Sequence, residues 1–337
     1  MKAIKFFAIT AMAAAMFTSC SNEDELSQSN YPSDNIIRIT AGVNNAKTRA
    51  NETAGTPLEN PLSLTVVNKY TENTELAKKY THVNKVFTKN DNVWTCEETL
   101  LWQNDTQPVD IVALAPAVTK ETFKDVYDAG FKSFTYSVAA NQSTTSDEND
   151  LLYNYTPGFV PGGTNLDKDG KLSIQMNHAF CMIDIIVTLG TEFNVSGIPT
   201  TSPITEVTLG GTKIEANVNV TNGTDKVTAS TTADAKDITA TPGDFTKPAD
   251  NDKEKSCISH FSCITIPQKV AANTFKVSLK TADKLYEWTS EAPVELLSGY
   301  RYKLELSMCN DVVLLKDAIS ASPWEKGNGE GGSLETD

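Results

Sequence analysis

The chain has 337 residues, of which 39% are hydrophobic and 21% charged, and its formal net charge is -14 at pH 7. These values are ordinary for globular proteins and exclude a largely disordered chain or a polytopic membrane protein. The acidic balance repels phosphate backbones and so argues against a nucleic-acid partner. At roughly 150 residues per domain, the length predicts two domains.

The N-terminus has the pattern of a bacterial lipoprotein signal. A short basic region precedes the apolar run from Phe6 to Phe17, which is too short for a membrane span of about 20 residues. Thr18-Ser19-Cys20 resembles a lipobox, so we predict a signal peptide over residues 1–19 and lipid attachment at Cys20. The alternative is a signal peptide that is cleaved elsewhere. Acidic residues 21–25 resemble a surface-export signal, or they form an acidic linker.

The rest of the chain predicts antiparallel β-sandwiches. Short runs rich in Thr and Val are separated by polar turns, with little helical periodicity. One helix is predicted at residues 120–129, and a domain boundary within residues 157–170. The predicted strands are 36–43, 62–67, 83–88, 93–102, 109–115, 133–138, 172–189, 204–209, 213–220, 226–229, 258–266, 274–279, 285–288, 300–308 and 312–319.

No metal site is predicted. Cys257, His260 and Cys263 are close in sequence, but in an extended strand His260 points away from the two cysteines. The cysteines beyond Cys20 are odd in number, which excludes a complete disulfide framework, so we interpret them as small buried hydrophobes. Residues 165–170 resemble half of a calcium loop, but the bidentate Glu is missing, which favours a tight Asp-Gly turn.

No catalytic residue and no cofactor is predicted either. The nucleophile-elbow, zinc-protease, P-loop and dinucleotide motifs are missing. A hydrolase would need two carboxylates that meet only in the folded chain. His178 lies in the most hydrophobic predicted strand and is interpreted as a hydrogen-bonded core residue. The tryptophans are interpreted as core anchors rather than as a glycan-stacking platform.

Several short motifs follow one another along the chain. They are Ile39-Thr40-Ala41-Gly42, Lys47-Thr48-Arg49-Ala50, Val109-Asp110-Ile111-Val112-Ala113-Leu114-Ala115-Pro116, Asn149-Asp150-Leu151-Leu152-Tyr153, Met176-Asn177-His178-Ala179-Phe180, Ile264-Thr265-Ile266-Pro267-Gln268, Leu297-Ser298-Gly299-Tyr300-Arg301-Tyr302, and Ile319 followed by Trp324. In order and spacing they resemble the fimbrillin family, the subunits of surface fimbriae in Gram-negative gut and oral anaerobes.

The resemblance implies an all-β fold of two tandem transthyretin-like antiparallel β-sandwiches and a structural role without enzymatic activity. We therefore expect a signal peptide at 1–19, an N-terminal segment with a cleavable first strand at 20–49, and sandwiches at 50–165 and 166–337.

The resemblance also implies assembly by strand addition, in which an Arg-specific protease removes the first strand and a neighbour's C-terminal strand replaces it. Arg49-Ala50 lies in a polar segment, whereas Arg38 lies among isoleucines, so we predict cleavage between Arg49 and Ala50. The alternative is a loop arginine beside a permanent first strand. The face of that strand consists of Ile37, Ile39, Ala41 and Val43.

At the other end, residues 312–319 are a candidate donor strand. Val313, Leu315 and Ile319 share one face, which Asp317 interrupts. The segment is alternatively the last strand of the second sandwich. The implied partners are other fimbrial subunits, the outer membrane through the lipid anchor, and a host or bacterial adhesion target. The competing hypothesis is a monomeric surface lipoprotein that binds glycans or host ligands through exposed aromatic residues.

Overall fold

The computed structural model describes residues 29–43, 56–118, 134–144, 149–221, 226–309, 313–315 and 319–324. Within these ranges the protein is all-β, which confirms the predicted fold class, with one short α-helix, α1 (Thr74–Lys79), and a 3₁₀ turn at Thr191–Asn194. The strands are β1 (Arg38–Val43), β2 (Thr56–Pro57), β3 (Leu62–Asn68), β4 (His82–Asn90), β5 (Val93–Cys96), β6 (Val109–Ala115), β7 (Phe134–Ser137), β8 (Leu152–Phe159), β9 (Lys171–His178), β10 (Cys181–Leu189), β11 (Glu206–Gly210), β12 (Glu215–Val218), β13 (Val227–Ala229), β14 (Ile238–Thr239), β15 (Thr241–Thr246), β16 (Ile258–Thr265), β17 (Gln268–Val270), β18 (Lys276–Lys280), β19 (Leu285–Thr289), β20 (Val294–Leu296), β21 (Tyr300–Met308), β22 (Val313–Leu315) and β23 (Ser320–Pro323).

Two large sheets organise the described strands. The first has eight strands in the order β2-β1-β9-β8-β6-β3-β4-β5, and the second has six, in the order β15-β16-β10-β21-β22 with β23 also paired to β21. Smaller sheets of four (β14-β11-β18-β19), three (β13-β12-β7) and two strands (β17-β20) complete the pairing. Most neighbours are antiparallel, but β1 runs parallel to β9 and β21 runs parallel to β10.

The buried side chains form two hydrophobic cores. The first core lies under the eight-stranded sheet and includes Ile39, Leu64 and Ile174. The second core gathers apolar residues from the six-, four- and three-stranded sheets, such as Ile185 and Leu209, together with Phe180 after β9 and Leu114 of β6. The strict alternation of buried and half-buried residues in β10 is the pattern of a strand with one face on a core.

The chain passes from one large sheet to the other between β9 and β10. The sequence predicts a single strand over 172–189, but the structure has two, which belong to different sheets. At the junction the N–H of Ala179 donates to the Leu151 carbonyl, 2.8 Å away. Ala179, Phe180 and Cys181 are buried one after another. Three consecutive buried residues break the period of two that a continuous strand requires, so the prediction of one strand was wrong.

Strands that precede residue 165 pair with strands that follow it, so hydrogen bonds join the two expected domains. The strand β9 joins β1 and β8 in the eight-stranded sheet, and β7 pairs with β12. These pairings do not establish where one domain ends and the next begins, and the limits at 50–165 and 166–337 remain a prediction. The helix predicted at 120–129 lies outside the described residues.

Candidate functional site

The first strand, β1, lies in a groove of the eight-stranded sheet. It runs parallel to β9 in a register that extends from Arg38 beside Lys171 to Val43 beside Met176. On its other side only Gly42 and Val43 are paired, with the short strand β2. Most of the outer edge of β1 is therefore free of strand partners in the described part of the chain.

The side chains of β1 and its approach are part of the first core. Ile37, Ile39 and Val43 are 4%, 3% and 1% exposed, and Ala41 packs against the same core. This confirms the face predicted from the sequence. Burial of an aliphatic side chain of this size stabilises a fold by about 1.5–3 kcal/mol, so the contacts of β1 with the first core contribute substantially to the stability of the folded chain.

Residues upstream of β1 anchor it further. The Ile37 N–H donates to the Leu100 carbonyl and the Trp102 N–H donates to the Asn35 carbonyl, each at 2.8 Å. Asn30 donates from its amide side chain to the carbonyl of Leu166, at 3.0 Å. These contacts hold the N-terminal end of the segment, whereas among the described residues its Val43 end pairs only with β9 and with the two residues of β2.

Arg38 is held within β1 by an ion pair. Its guanidinium donates to both carboxylate oxygens of Asp34, at 3.0 and 2.6 Å. The hydrogen bonds from Arg38 lower the pKa of Asp34 to about 2. Arg301 is similarly fixed, because it lies in β21 and donates to Asp184 of β10. A protease needs an accessible extended chain, so neither arginine is well placed for cleavage.

The predicted cleavage residues, Arg49 and Ala50, lie outside the described residues, and so does the predicted lipid site, Cys20. The described chain resumes at Thr56, where β2 begins. The order along the chain therefore places Arg49 between β1 and β2.

The C-terminal segment pairs with its own subunit. The strand β22 is antiparallel to the end of β21, with Val313 opposite Met308 and Leu315 opposite Leu306. Val313 is buried and Leu314 is 57% exposed. After residues 316–318, which include Asp317 and lie outside the described residues, Ile319 packs against the second core and β23 pairs with the start of β21.

Trp324 closes the described chain against His178. The two rings are stacked, with centroids 3.9 Å apart and planes 10° from parallel. Nδ1 of His178 donates to Asp150 Oδ1 at 2.8 Å, and both Trp324 and His178 are buried. The interpretation of His178 as a hydrogen-bonded core residue is confirmed. Sequence reasoning missed the stack, because nothing in the sequence relates the two residues.

The other polar candidates have structural roles. Asp167 Oδ1 accepts hydrogen bonds from the N–H groups of Asp169 and Lys171, and Gly170 adopts a φ of +74°, so residues 165–170 form a tight turn. Burial alternates along β16, which puts His260 on the opposite face from Cys263. Within the described ranges, no group of three or more His, Cys, Asp or Glu residues could hold a metal ion.

Three of the five cysteines beyond Cys20 are buried, as predicted, namely Cys181, Cys257 and Cys263, whereas Cys96 and Cys309 are half-buried and all five are free thiols. Burial raises the pKa of Cys263 to about 12.

The tryptophans also behave as core anchors, because Trp94, Trp102 and Trp324 are buried and Trp288 packs edge-on against Phe275. No helix in the described residues is long and apolar enough to cross a membrane.

These features define an all-β protein whose distinguishing elements are a first strand inserted parallel to β9 and a C-terminal segment paired with β21. A family model described as fimbrillin-like matches residues 48–324. The chain belongs to the fimbrillin-like family, which consists of structural adhesion subunits of cell-surface fimbriae rather than enzymes.

The fold is shared with solved structures. A candidate cell adhesion protein from Bacteroides ovatus is 14% identical with a TM-score of 0.60, and one from Bacteroides uniformis is 16% identical with a TM-score of 0.55. Each match covers 87% of this chain and 99% of the other. The tip fimbrial protein Mfa3 from Porphyromonas gingivalis is 10% identical over 80% of this chain and 95% of its own, with a TM-score of 0.48. No curated protein matches the sequence.

Proposed function

We propose that the chain is exported as a lipoprotein precursor and polymerises into fimbriae by strand exchange after cleavage between Arg49 and Ala50. The observation that carries the proposal is the position of β1. It is a parallel strand, covered on its outer side only by the two-residue strand β2 in the described part of the chain; its buried side chains complete the first core, and the segment with Arg49 follows it directly. A cut there would sever β1 from the rest of the subunit.

The vacated groove would recruit a replacement strand. Loss of β1 would expose the partners of three buried aliphatic side chains and the hydrogen-bonding edge of β9 from Lys171 to Met176. An unpaired, apolar edge of this length is a template for strand addition, in which main-chain hydrogen bonds supply affinity and alternate side chains fill pockets.

The C-terminal segment of a neighbour has a matching side-chain spacing. Val313, Leu315 and Ile319 are spaced like Ile37, Ile39 and Val43. Asp317 then falls at the position of Ala41, which is the least buried of the four groove positions. We propose this register for the donor. Since β22 and β23 pair with β21 of their own subunit, donation would require their release.

The division into two tandem transthyretin-like sandwiches, at 50–165 and 166–337, is part of the proposal. The presence of two separate cores supports a division into two units, although Leu172 and Met176 of the expected second sandwich lie in the first core and Leu114 and Leu151 of the expected first sandwich lie in the second.

The membrane anchor is proposed from Cys20. Lipidated chains would remain at the outer membrane, and assembly would use other fimbrial subunits as partners. Growth with an alkyne-tagged palmitate should label the wild-type chain and not a Cys20→Ala variant. Equal labelling of both would place the lipid elsewhere.

Treatment of the purified chain with an Arg-specific protease tests the polymerisation. We expect a new N-terminus at Ala50 and ladders that resist SDS. Arg49→Lys, which keeps the positive charge, should remain uncut and monomeric, whereas Arg38→Lys, which keeps a cation beside Asp34, should behave like wild type. Protein that is cut after Arg49 and stays monomeric would overturn the proposal.

A further inference from the structure

We propose that Trp324 is a clasp that holds the C-terminal segment on its own subunit and couples it to the junction between the two large sheets. The inference rests on the proposed function, because it describes how the proposed donor segment is retained before donation. It assigns a positioning role to the stack of Trp324 on His178, to which the sequence gives no role.

Trp324 is the buried residue at the C-terminal end of the segment 313–324. Val313 and Trp324 are buried, but none of the residues from Ile319 to Pro323 is. The strand β23 is therefore held on β21 by main-chain pairing along four residues and by the partial packing of Ile319 and Ala321 on the second core. A large aromatic side chain at the end of a weakly buried strand decides whether that strand stays in place.

The backbone of Trp324 also leads to the junction. Its N–H donates to the Gly299 carbonyl at 2.7 Å, and the Gly299 N–H donates to the Phe180 carbonyl at 2.8 Å. Ser298, which precedes Gly299, donates a hydrogen bond from its Oγ to the carbonyl of Ala179 at 2.8 Å. The ring and the main chain of Trp324 thus reach the residues that link β9 to β10 by two separate routes.

His178 connects these contacts to the first sheet. It is the last residue of β9, and its Nδ1 donates to Asp150, which directly precedes Leu151, the acceptor for the Ala179 N–H. Nε2 of His178 is buried without a hydrogen-bond partner in the described part of the chain. Besides the hydrogen bond at Nδ1, the imidazole ring is therefore stabilised by the stacking of its face on Trp324. Withdrawal of Trp324 would remove that cover.

A subunit that donates its C-terminal segment would have to withdraw Trp324 from His178. Once Trp324 leaves His178, both the edge of β21 and the turn at residues 178–180 lose a stabilising contact. Donation at the C-terminus is then coupled to a loosening of the link between the two cores. The coupling is a property of the single subunit and does not need a polymer.

Hydrogen exchange followed by mass spectrometry on the uncut Arg49→Lys chain tests this. In Trp324→Ala we expect exchange about tenfold faster in β21 and at the N–H groups of Ala179 and Gly299. Trp324→Phe, which keeps a stacking ring, should lie close to the parent. Trp288→Ala is the matched control, because Trp288 packs on Phe275 and should leave the junction unchanged.

The outcomes separate the two proposals. Unchanged exchange in Trp324→Ala would overturn the clasp, and faster exchange in β21 alone would overturn the coupling to the junction. If Trp324→Ala does not fold, Trp324→Leu keeps apolar volume without a ring and serves the same comparison. Since Arg49→Lys is not cut, failure of polymerisation in the protease experiment leaves these results independent.

Discussion

Ile39 of β1 lies directly beside Leu172 of β9 in parallel register, and both side chains are buried in the first core. This pairing makes the first strand part of the folded precursor, although we propose that cleavage after Arg49 removes the segment to which it belongs. A strand that is both buried and severable is what strand exchange requires.

The first prediction concerns the stability of the precursor. Ile39→Ala should lower its free energy of unfolding by about 2–5 kcal/mol, because it removes buried methylene groups and leaves a cavity. Thr40→Ala, on the half-buried opposite face of β1, is the control and should change stability far less. Denaturant titration measures both. Equal effects of the two substitutions would contradict the burial of this face.

The second prediction concerns pH. The pKa of Asp34 is lowered to about 2 by the hydrogen bonds from Arg38. Because this folded value lies below the ordinary unfolded value of about 3.9, the stabilising contribution is present above pH ~4 and is lost as the pH falls through about 2. NMR titration of the Asp34 carboxyl carbon should show this low pKa and its return toward normal in Arg38→Gln. An unchanged pKa in Arg38→Gln would exclude the ion pair.

The third prediction concerns the thiols. Burial raises the pKa of Cys181 and Cys263, so both stay protonated and inaccessible in the folded chain. Iodoacetamide should first modify Cys96 and Cys309, which are half-buried, and should reach Cys181 and Cys263 only after unfolding. Peptide mass spectrometry gives the order. Early labelling of Cys263 would contradict the packing of β16 on β10.

The fourth prediction concerns the donor face. Leu315→Asp should abolish SDS-resistant ladders after cleavage, because it would bring a charge to the groove position of Ile39. Leu314→Asp is the matched control, since Leu314 lies on the opposite face and is 57% exposed. The length of the ladders on gels gives the readout. Ladders lost equally in both variants would contradict the proposed register.

Individual strands show how far the sequence predicts the fold. The apolar run of β6 and the alternating pattern of β21 predict both strands with the observed bounds. Such patterns miss β8, which contains Pro157 and Gly158 and therefore has the composition of a turn. They also miss α1, although Asn73 is a readable signal, since its side chain caps the helix by accepting from the Leu76 N–H.

Part of the candidate site is likewise predictable from the sequence, and part of it is not. The buried face of β1 is predictable, since Ile37, Ile39, Ala41 and Val43 repeat with a period of two. Its parallel pairing with β9 and the stack of Trp324 on His178 are not, because both depend on contacts between residues more than 100 positions apart. Local sequence patterns carry no signal for such long-range partners.

If cleavage after Arg49 precedes assembly, the N-terminus of the chain on cells differs between the membrane and the fimbriae. Intact-mass measurement should be made separately on the membrane fraction and on sheared fimbriae. We expect chains that begin at lipidated Cys20 in the membrane and chains that begin at Ala50, without lipid, in the fimbriae. Fimbriae built from chains that still begin at Cys20 would contradict cleavage before assembly.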